Sequence, residues 1–390
     1  MNARDVVNEL VRKGGNPKRM GLTEGFWTDT IFKWVKQGYP TQRVYKLKDE
    51  AFRRDEDGMM DVAPEDGWYV EPEQPWRHFG FDMVGGAGRF DLWPIRGYSE
   101  VVEENDQWVI RRNGAGASLK YWKHKMGTPE HIDFRMTSRE VWERDYKPFL
   151  LEWDAERVNL KLARKSYAEL KEAGVWQHFG QMFIWEIMRQ SLGDVTLYTS
   201  LLTDPDWIHD INRTYTVFFK RYYTYIFEQV GLPDGMWLFE DMGYNAGLFA
   251  SPKTFEKLIF PYYREMVDFF HAYNLPVILH SCGSVAQAMP LIVDAGFDAL
   301  NPMERKAKGN DPFAFAEKYG DRLAFVGGLD IRHLESNDKD VVKREVVNYV
   351  EGMKSRGARL VFAVDHSVPP TVDYDTYRYA VDVYREHMWY

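Results

Sequence analysis

The residues best able to do chemistry sit at the ends of apolar runs in the second half of the chain. In VILHSCGS, His280 and Cys282 are two apart. In an extended strand that spacing puts both side chains on one face, and Gly283 follows as the chain leaves the strand. Imidazole nitrogen and thiolate sulfur are zinc ligands, although the pair alone also fits a core histidine beside a small buried thiol. LNPMER ends with Glu304 near its close, and VFAVDHS with Asp365 and His366. An acid at the end of an apolar strand is costly to bury without a partner, so three such endings imply one convergent site. His280, Cys282, Glu304 and His366 make a tetrahedral zinc set; they also fit a hydrogen-bonded polar rim that binds an organic anion. Glu240 and Asp241 close the run MWLFED. They read as a general acid, a substrate hydrogen-bond partner or a spare ligand, or else as outer support for His280. Asp330 and Arg332 in GGLDIRHL read as an ion pair at the mouth of the site or as contacts to a cofactor or substrate. Trp27, Phe81, Trp93, Phe183 and Trp185 read as pocket walls or as core.

Bringing these residues together is the task of the elements around them. Apolar runs of strand length at 236–241, 276–282, 299–304, 323–330 and 359–366 alternate with helical patterns near 252–272, 284–295, 311–319, 338–355 and 374–387. That rhythm signals parallel β/α units. Gly296 and Gly357 stand where helix C-caps belong. Earlier strands are read at 20–25, near 79–84 and at 177–183. Helices are read near 28–37, at 184–190, and over about 205–230, where Asp204-Pro205 is a helix start. Eight strands make an α/β chain with a (β/α)8 TIM barrel the economical fold, and barrel active sites form at the carboxyl ends of the strands. The expected organisation is one barrel domain over 1–390, with 40–150 as an inserted, elaborated segment. Within it QWVIRRNGAGASLKYW reads as a β-hairpin turning at 113–116.

Composition narrows the function classes. The 390 residues carry 50 Lys and Arg against 59 Asp and Glu, a net charge of −9, which argues against a nucleic-acid partner. An apolar fraction of 45% with 28% charged residues is that of a globular protein. The single cysteine rules out an intramolecular disulfide and fits a reducing compartment. The amphipathic start MNARDVVNELVRKGG lacks the apolar stretch of a signal peptide, and no run is long enough to span a membrane. The expected location is the cytoplasm.

The stretches FASPKTFEKLIFPYYREMVDFFH, PVILHSCGSV, AGFDALNPMERKA, YGDRLAFVGGLDIRHL and VFAVDHSVPPTVDYDTY resemble the uroporphyrinogen decarboxylase-like superfamily, over about 170–390 and more faintly at the start. The resemblance implies a (β/α)8 barrel and an activity among decarboxylases, corrinoid-linked methyltransferases and cobalamin-independent methionine synthases. Methyltransferase branches resemble one another in a zinc site of His-x-Cys with a later Cys. His280 and Cys282 match the pair, His366 stands in place of the later Cys, and Glu304 matches the intervening Glu of the methionine synthases. The Arg-rich turn with which the decarboxylases bind tetrapyrrole carboxylates has no counterpart, since MGLTEGFW occupies that region.

The implied reading is a zinc-dependent, corrinoid-dependent methyltransferase. A site with two nitrogens, one sulfur and one oxygen makes a harder zinc than a sulfur-rich one, suited to polarising an oxygen. The small-molecule methyl donor is then a methoxylated aromatic, demethylated to a phenol, with the methyl passing to the Co(I) of a corrinoid. No Asp-x-His-x-x-Gly motif is present, so the corrinoid (cobalamin) is expected on a separate partner protein. Relatives also imply a homodimer. The rival readings are a metal-independent decarboxylase of the same superfamily and a non-catalytic tetrapyrrole- or corrinoid-binding protein.

Overall fold

The computed structural model describes residues 2–46, 52–54, 60–62, 68–123 and 127–390. Parts of the expected 40–150 elaboration therefore lie outside the described residues. Eight parallel strands form the central sheet: β1 Gly21–Leu22, β2 Met83–Gly85, β3 Trp176–Met182, β4 Gly235–Phe239, β5 Val277–His280, β6 Ala299–Asn301, β7 Ala324–Val326 and β8 Leu360–Phe362. Their order is β1-β8-β7-β6-β5-β4-β3-β2, and every pairing is parallel. Backbone and side-chain bonds help close the remaining seam, between β1 and β2. Asp82 N donates to Leu22 O at 2.8 Å, and Leu22 N donates to Asp82 Oδ2 at 2.9 Å. Thr23 Oγ1 donates to Met83 O at 2.9 Å, and Arg19 braces Asp82 with two bonds of 2.7 and 2.8 Å. The fold is a (β/α)8 barrel, as the alternation of the sequence predicts.

The strands are shorter than their apolar runs. The strand built on the run at 276–282 ends at His280, that on 299–304 at Asn301, and that on 359–366 at Phe362, with one isolated bridge beyond it from Val364 to Leu329. Past the strand ends, Cys282, Pro302, Val364 and His366 line the barrel mouth. Helix 374–387 is observed as Tyr374–His387, and 338–355 as Lys339–Lys354. The pattern near 252–272 is two helices, Pro252–Leu258 and Phe260–His271, divided where Pro261 lacks the N–H to continue the first. The helix expected at 184–190 runs on as Ile184–Thr203, kinked at Gly193, where φ is +70°. Asp204 caps the helix Pro205–Gln229 by accepting from Trp207 N at 3.1 Å.

The barrel floor is sealed by α1, Ala3–Val11, whose Val6, Val7, Leu10 and Val11 are buried against Met83, Trp176, Ile278 and Val361. An antiparallel sheet of Ser99–Glu104, Trp108–Asn113, Ala117–Trp122 and Glu130–Phe134 contains the expected hairpin. Its turn is held by Asn113 Oδ1, which accepts from Ala115 N and Ala117 N, and by Gly116 at φ +78°. Among the described residues no helix is long and apolar enough to cross a membrane.

Candidate functional site

Parallel register places the centre of the site. Phe239, His280 and Asn301 are opposed across β4, β5 and β6 and lie at the carboxyl ends of their strands. Phe239 stacks on the His280 ring, with centroids 4.3 Å apart and planes at 13°. On the other side His280 Nδ1 meets Asn301 Oδ1 at 2.5 Å. Asn301 Nδ2 donates to Val326 O at 3.0 Å, so the oxygen faces the imidazole and accepts from Nδ1–H. The tautomer is thereby fixed with the Nε2 lone pair free, the arrangement in which a histidine ligates a metal. Burial lowers the pKa of His280, which keeps the ring neutral.

The free Nε2 faces Cys282 Sγ at 3.4 Å and Asp241 Oδ1 at 3.6 Å. The three ligand atoms of Asp241, His280 and Cys282 lie within 4.8 Å of one another. A tetrahedral zinc with bonds of about 2.0–2.3 Å requires ligand separations of about 3.3–3.8 Å, so both separations fit. Asp241 lies two residues past Phe239 and keeps its face, and its Oδ1 accepts from Cys282 N at 2.8 Å. Cys282 itself is one turn beyond the strand. Gly283, at φ +73°, packs so closely that a Cβ there would lie 2.3 Å from Gly243 O. Burial raises the Cys282 thiol well above its ordinary pKa, with Asp241 and Glu304 adding to the effect. A thiol held neutral in this way needs a cation to become a ligand anion.

Glu304 is not in this group. It is buried, with Oε2 accepting from Gly283 N at 2.7 Å and Oε1 paired with Lys306 Nζ at 3.0 Å. The carboxylate therefore braces the turn that presents Cys282, and it is Asp241 whose oxygen lies close to His280 and Cys282. His366 lines the same cavity and acts electrostatically on His280, with its ring centroid 6.2 Å from that of Trp27. Asp365 turns away, accepting from Ile331 N and Arg305 N at 3.0 and 2.8 Å.

Glu240 is fully buried outside the cavity. It accepts from Phe183 N at 2.7 Å, from Trp185 N at 2.8 Å and from the Tyr263 hydroxyl. Burial pushes its carboxyl up to about 8. It ties β4 to the loop after β3 and is not among the residues that line the cavity. Asp330 and Arg332 also lie away from the cavity: Asp330 caps a helix at Ile331–Glu335, and its Oδ2 is 2.5 Å from Arg332 Nη2. Asp330 borders a separate pocket of about 200 Å³.

The cavity above the triad has a volume of about 580 Å³. Its walls are Trp27, Trp76, Phe81, Met83, Trp237 and Phe239. Of the five aromatics singled out by sequence, Trp27 and Phe81 line it, Phe183 and Trp185 are core, and Trp93 packs against the core. Two further polar residues face it that sequence reasoning missed. His178 stacks on Trp237 at 4.9 Å, and its Nδ1 is buried with no hydrogen-bond partner among the described residues. Burial, reinforced by Arg89, lowers its pKa to about 3. Glu24 follows β1, with Oε1 accepting from Gly25 N and Oε2 from Val364 N, both at 3.0 Å. Strand alternation from Trp176 would have placed His178 inside the barrel; an acid just past the first strand was the corresponding signal for Glu24. Among the described residues that line the cavity there is no lysine or arginine.

No curated protein matches the chain. Among solved structures, a methyltransferase from Methanosarcina mazei is similar over 99% of this chain and 99% of its own, at TM-score 0.66 and 14% identity, a likeness of fold. An uncharacterized protein matches 43% of this chain and 42% of its own at TM-score 0.27 and 14% identity. The model of the family Uroporphyrinogen decarboxylase (URO-D) matches residues 187–387. That match covers just over half of the chain and includes Asp241, His280 and Cys282, and the chain belongs to the uroporphyrinogen decarboxylase family.

Proposed function

We propose that the chain is a zinc-dependent methyltransferase, which takes a methyl group from a small methoxylated aromatic and passes it to the Co(I) of a separate corrinoid protein. The observation that carries this reading is the triad of Asp241, His280 and Cys282 at the edge of an aromatic-walled cavity in the barrel mouth. His280 and Cys282 would hold zinc with Asp241, and His366, which lines the same cavity, would be the residue available as a fourth ligand. When bound, the metal supplies Lewis acidity to the ether oxygen, whose developing phenolate charge is the obstacle to breaking the bond.

The chain's own residues do the remaining work. Asn301 orients His280, Glu304 holds the Cys282 turn through Gly283 N, and the aromatic walls place the ring and exclude water. The metal-independent decarboxylase reading lacks support from the cavity, which offers a carboxylated substrate no lysine or arginine among its described residues. The fold likeness to a methanogen methyltransferase supports the methyl-transfer reading at the level of architecture.

The test is metal analysis followed by a spectral assay. The purified protein should hold one zinc per chain and consume the Co(I) signal of a corrinoid protein when given a methyl aryl ether. Carbon dioxide release from a carboxylated substrate by metal-free protein would overturn the reading.

A further inference from the structure

Glu24 has no role in the triad, yet it lies on the cavity wall across from it. In the strand order β1 is four places from β5, which is half of an eight-stranded circuit. Glu24 follows β1, and His280 and Cys282 follow from β5, so the two polar groups face the cavity from opposite sides of the mouth. The space between them is walled by aromatic rings.

The Glu24 carboxyl is built into its place. It accepts from Gly25 N and Val364 N, both at 3.0 Å, and interacts with the Tyr377 hydroxyl. A carboxylate has about four lone-pair sites, so one acceptor position remains for a ligand. Among the described residues the cavity is lined by no lysine or arginine, the side chains that carry a fixed positive charge at neutral pH, and burying an anion without such a partner is costly.

Resting on the methyl-ether reading above, we infer that Glu24 determines specificity by anchoring the far end of the donor through a neutral hydroxyl group, so that methoxyphenols are accepted and methoxybenzoates are rejected. The ring spans the mouth, its ether oxygen toward Asp241, His280 and Cys282 and its hydroxyl toward Glu24. Burial raises the Glu24 carboxyl to about 8. A hydroxyl can donate to the ionised acid and accept from the neutral one, whereas neither form supplies the positive charge that a carboxylate needs.

The experiment measures binding, without corrinoid, of three para-substituted probes to the zinc-loaded protein by calorimetry: 4-methoxyphenol, 1,4-dimethoxybenzene and 4-methoxybenzoate. The phenol should bind about tenfold or more tighter than either of the others, the scale of one hydrogen bond to a chargeable partner. Glu24→Ala should abolish the preference for the phenol over the dimethoxy probe, with folding checked by its melting curve. Glu24→Gln, which keeps an acceptor and the shape, should retain part of that preference. Because the wild-type comparison needs no variant, a misfolded variant does not spoil the test. Equal binding of the three probes, or tightest binding of the benzoate, overturns the Glu24 assignment and leaves the methyl-ether reading standing. Failure of all three to bind zinc-loaded protein overturns the methoxyarene reading itself, and the assignment with it.

Discussion

At the scale of single residues, ligands and their supports should separate cleanly. Cys282→Ser and Asp241→Asn replace an ionisable sulfur and a carboxylate that would touch the metal by weaker, neutral donors, and should lower zinc content sharply at equal protein concentration. Asn301→Ala leaves all three ligand atoms but frees the His280 ring, and should weaken zinc about 10–100-fold, as loss of an orienting partner does. Glu304→Ala should fall in the same range, because it unties Gly283 N and frees Lys306 without removing any of the three clustered ligand atoms. Competition with a chromophoric chelator reads all four; a loss for Glu304→Ala as complete as that for Cys282→Ser would restore Glu304 as a ligand. Glu24 gives a pH signature. An unfolded carboxyl ionises near 4.5, whereas burial raises that of Glu24 to about 8. Between those values the folded state binds more protons, so this contribution is full below about pH 4.5 and is lost as pH rises through about 8. The urea midpoint of the wild type should therefore fall more steeply over pH 5–8 than that of Glu24→Gln.

At the scale of elements, the turn after β5 is the most constrained piece of the site. Gly283→Ala must accommodate φ +73° and a clash with Gly243 O. It should cost about 1–3 kcal/mol and displace Cys282, giving a lower melting temperature together with weaker zinc binding. The elements themselves were largely legible: the β/α rhythm after residue 236, the capped helix from Asp204 and the hairpin 107–122 all follow from periodicity and turn chemistry. The site was legible in part. His280 and Cys282 stand out because imidazole and thiol at spacing two are rare on an apolar run. Asp241 read only as one of several options, since nothing local says that its oxygen reaches across to the neighbouring strand's turn. The direction of Glu304 was not legible because it depends on where β6 ends: the strand stops at Asn301, and the acid accepts from Gly283 N. Strand ends, and hence the direction of the residues after them, are set by tertiary pairing, which spacing does not encode.

At the scale of the whole molecule, the barrel has a sealed floor and a seam. Asp82 does much of the joining of β1 to β2, accepting from Leu22 N while paired with Arg19, which is 17% exposed. Asp82→Ala should leave that guanidinium without its carboxylate, holding only Met20 O, and the Leu22 N–H unpaired, and cost about 3–5 kcal/mol. The decrease in unfolding free energy measured in urea checks the size. Early deuterium exchange at Leu22 would locate the loss at the seam, while a loss confined to distant helices would contradict it.

The chain has one sulfhydryl in 390 residues, and it lies in the cavity wall beside His280. Alkylation can therefore modify a cysteine at one position only, and a single mass increment reports on that position without any background. Protein stripped by a chelator should take up the label faster than zinc-loaded protein, and a donor seated in the mouth should slow it further. The time course of one adduct then becomes an occupancy meter for the cavity, usable before any partner or turnover assay is in hand.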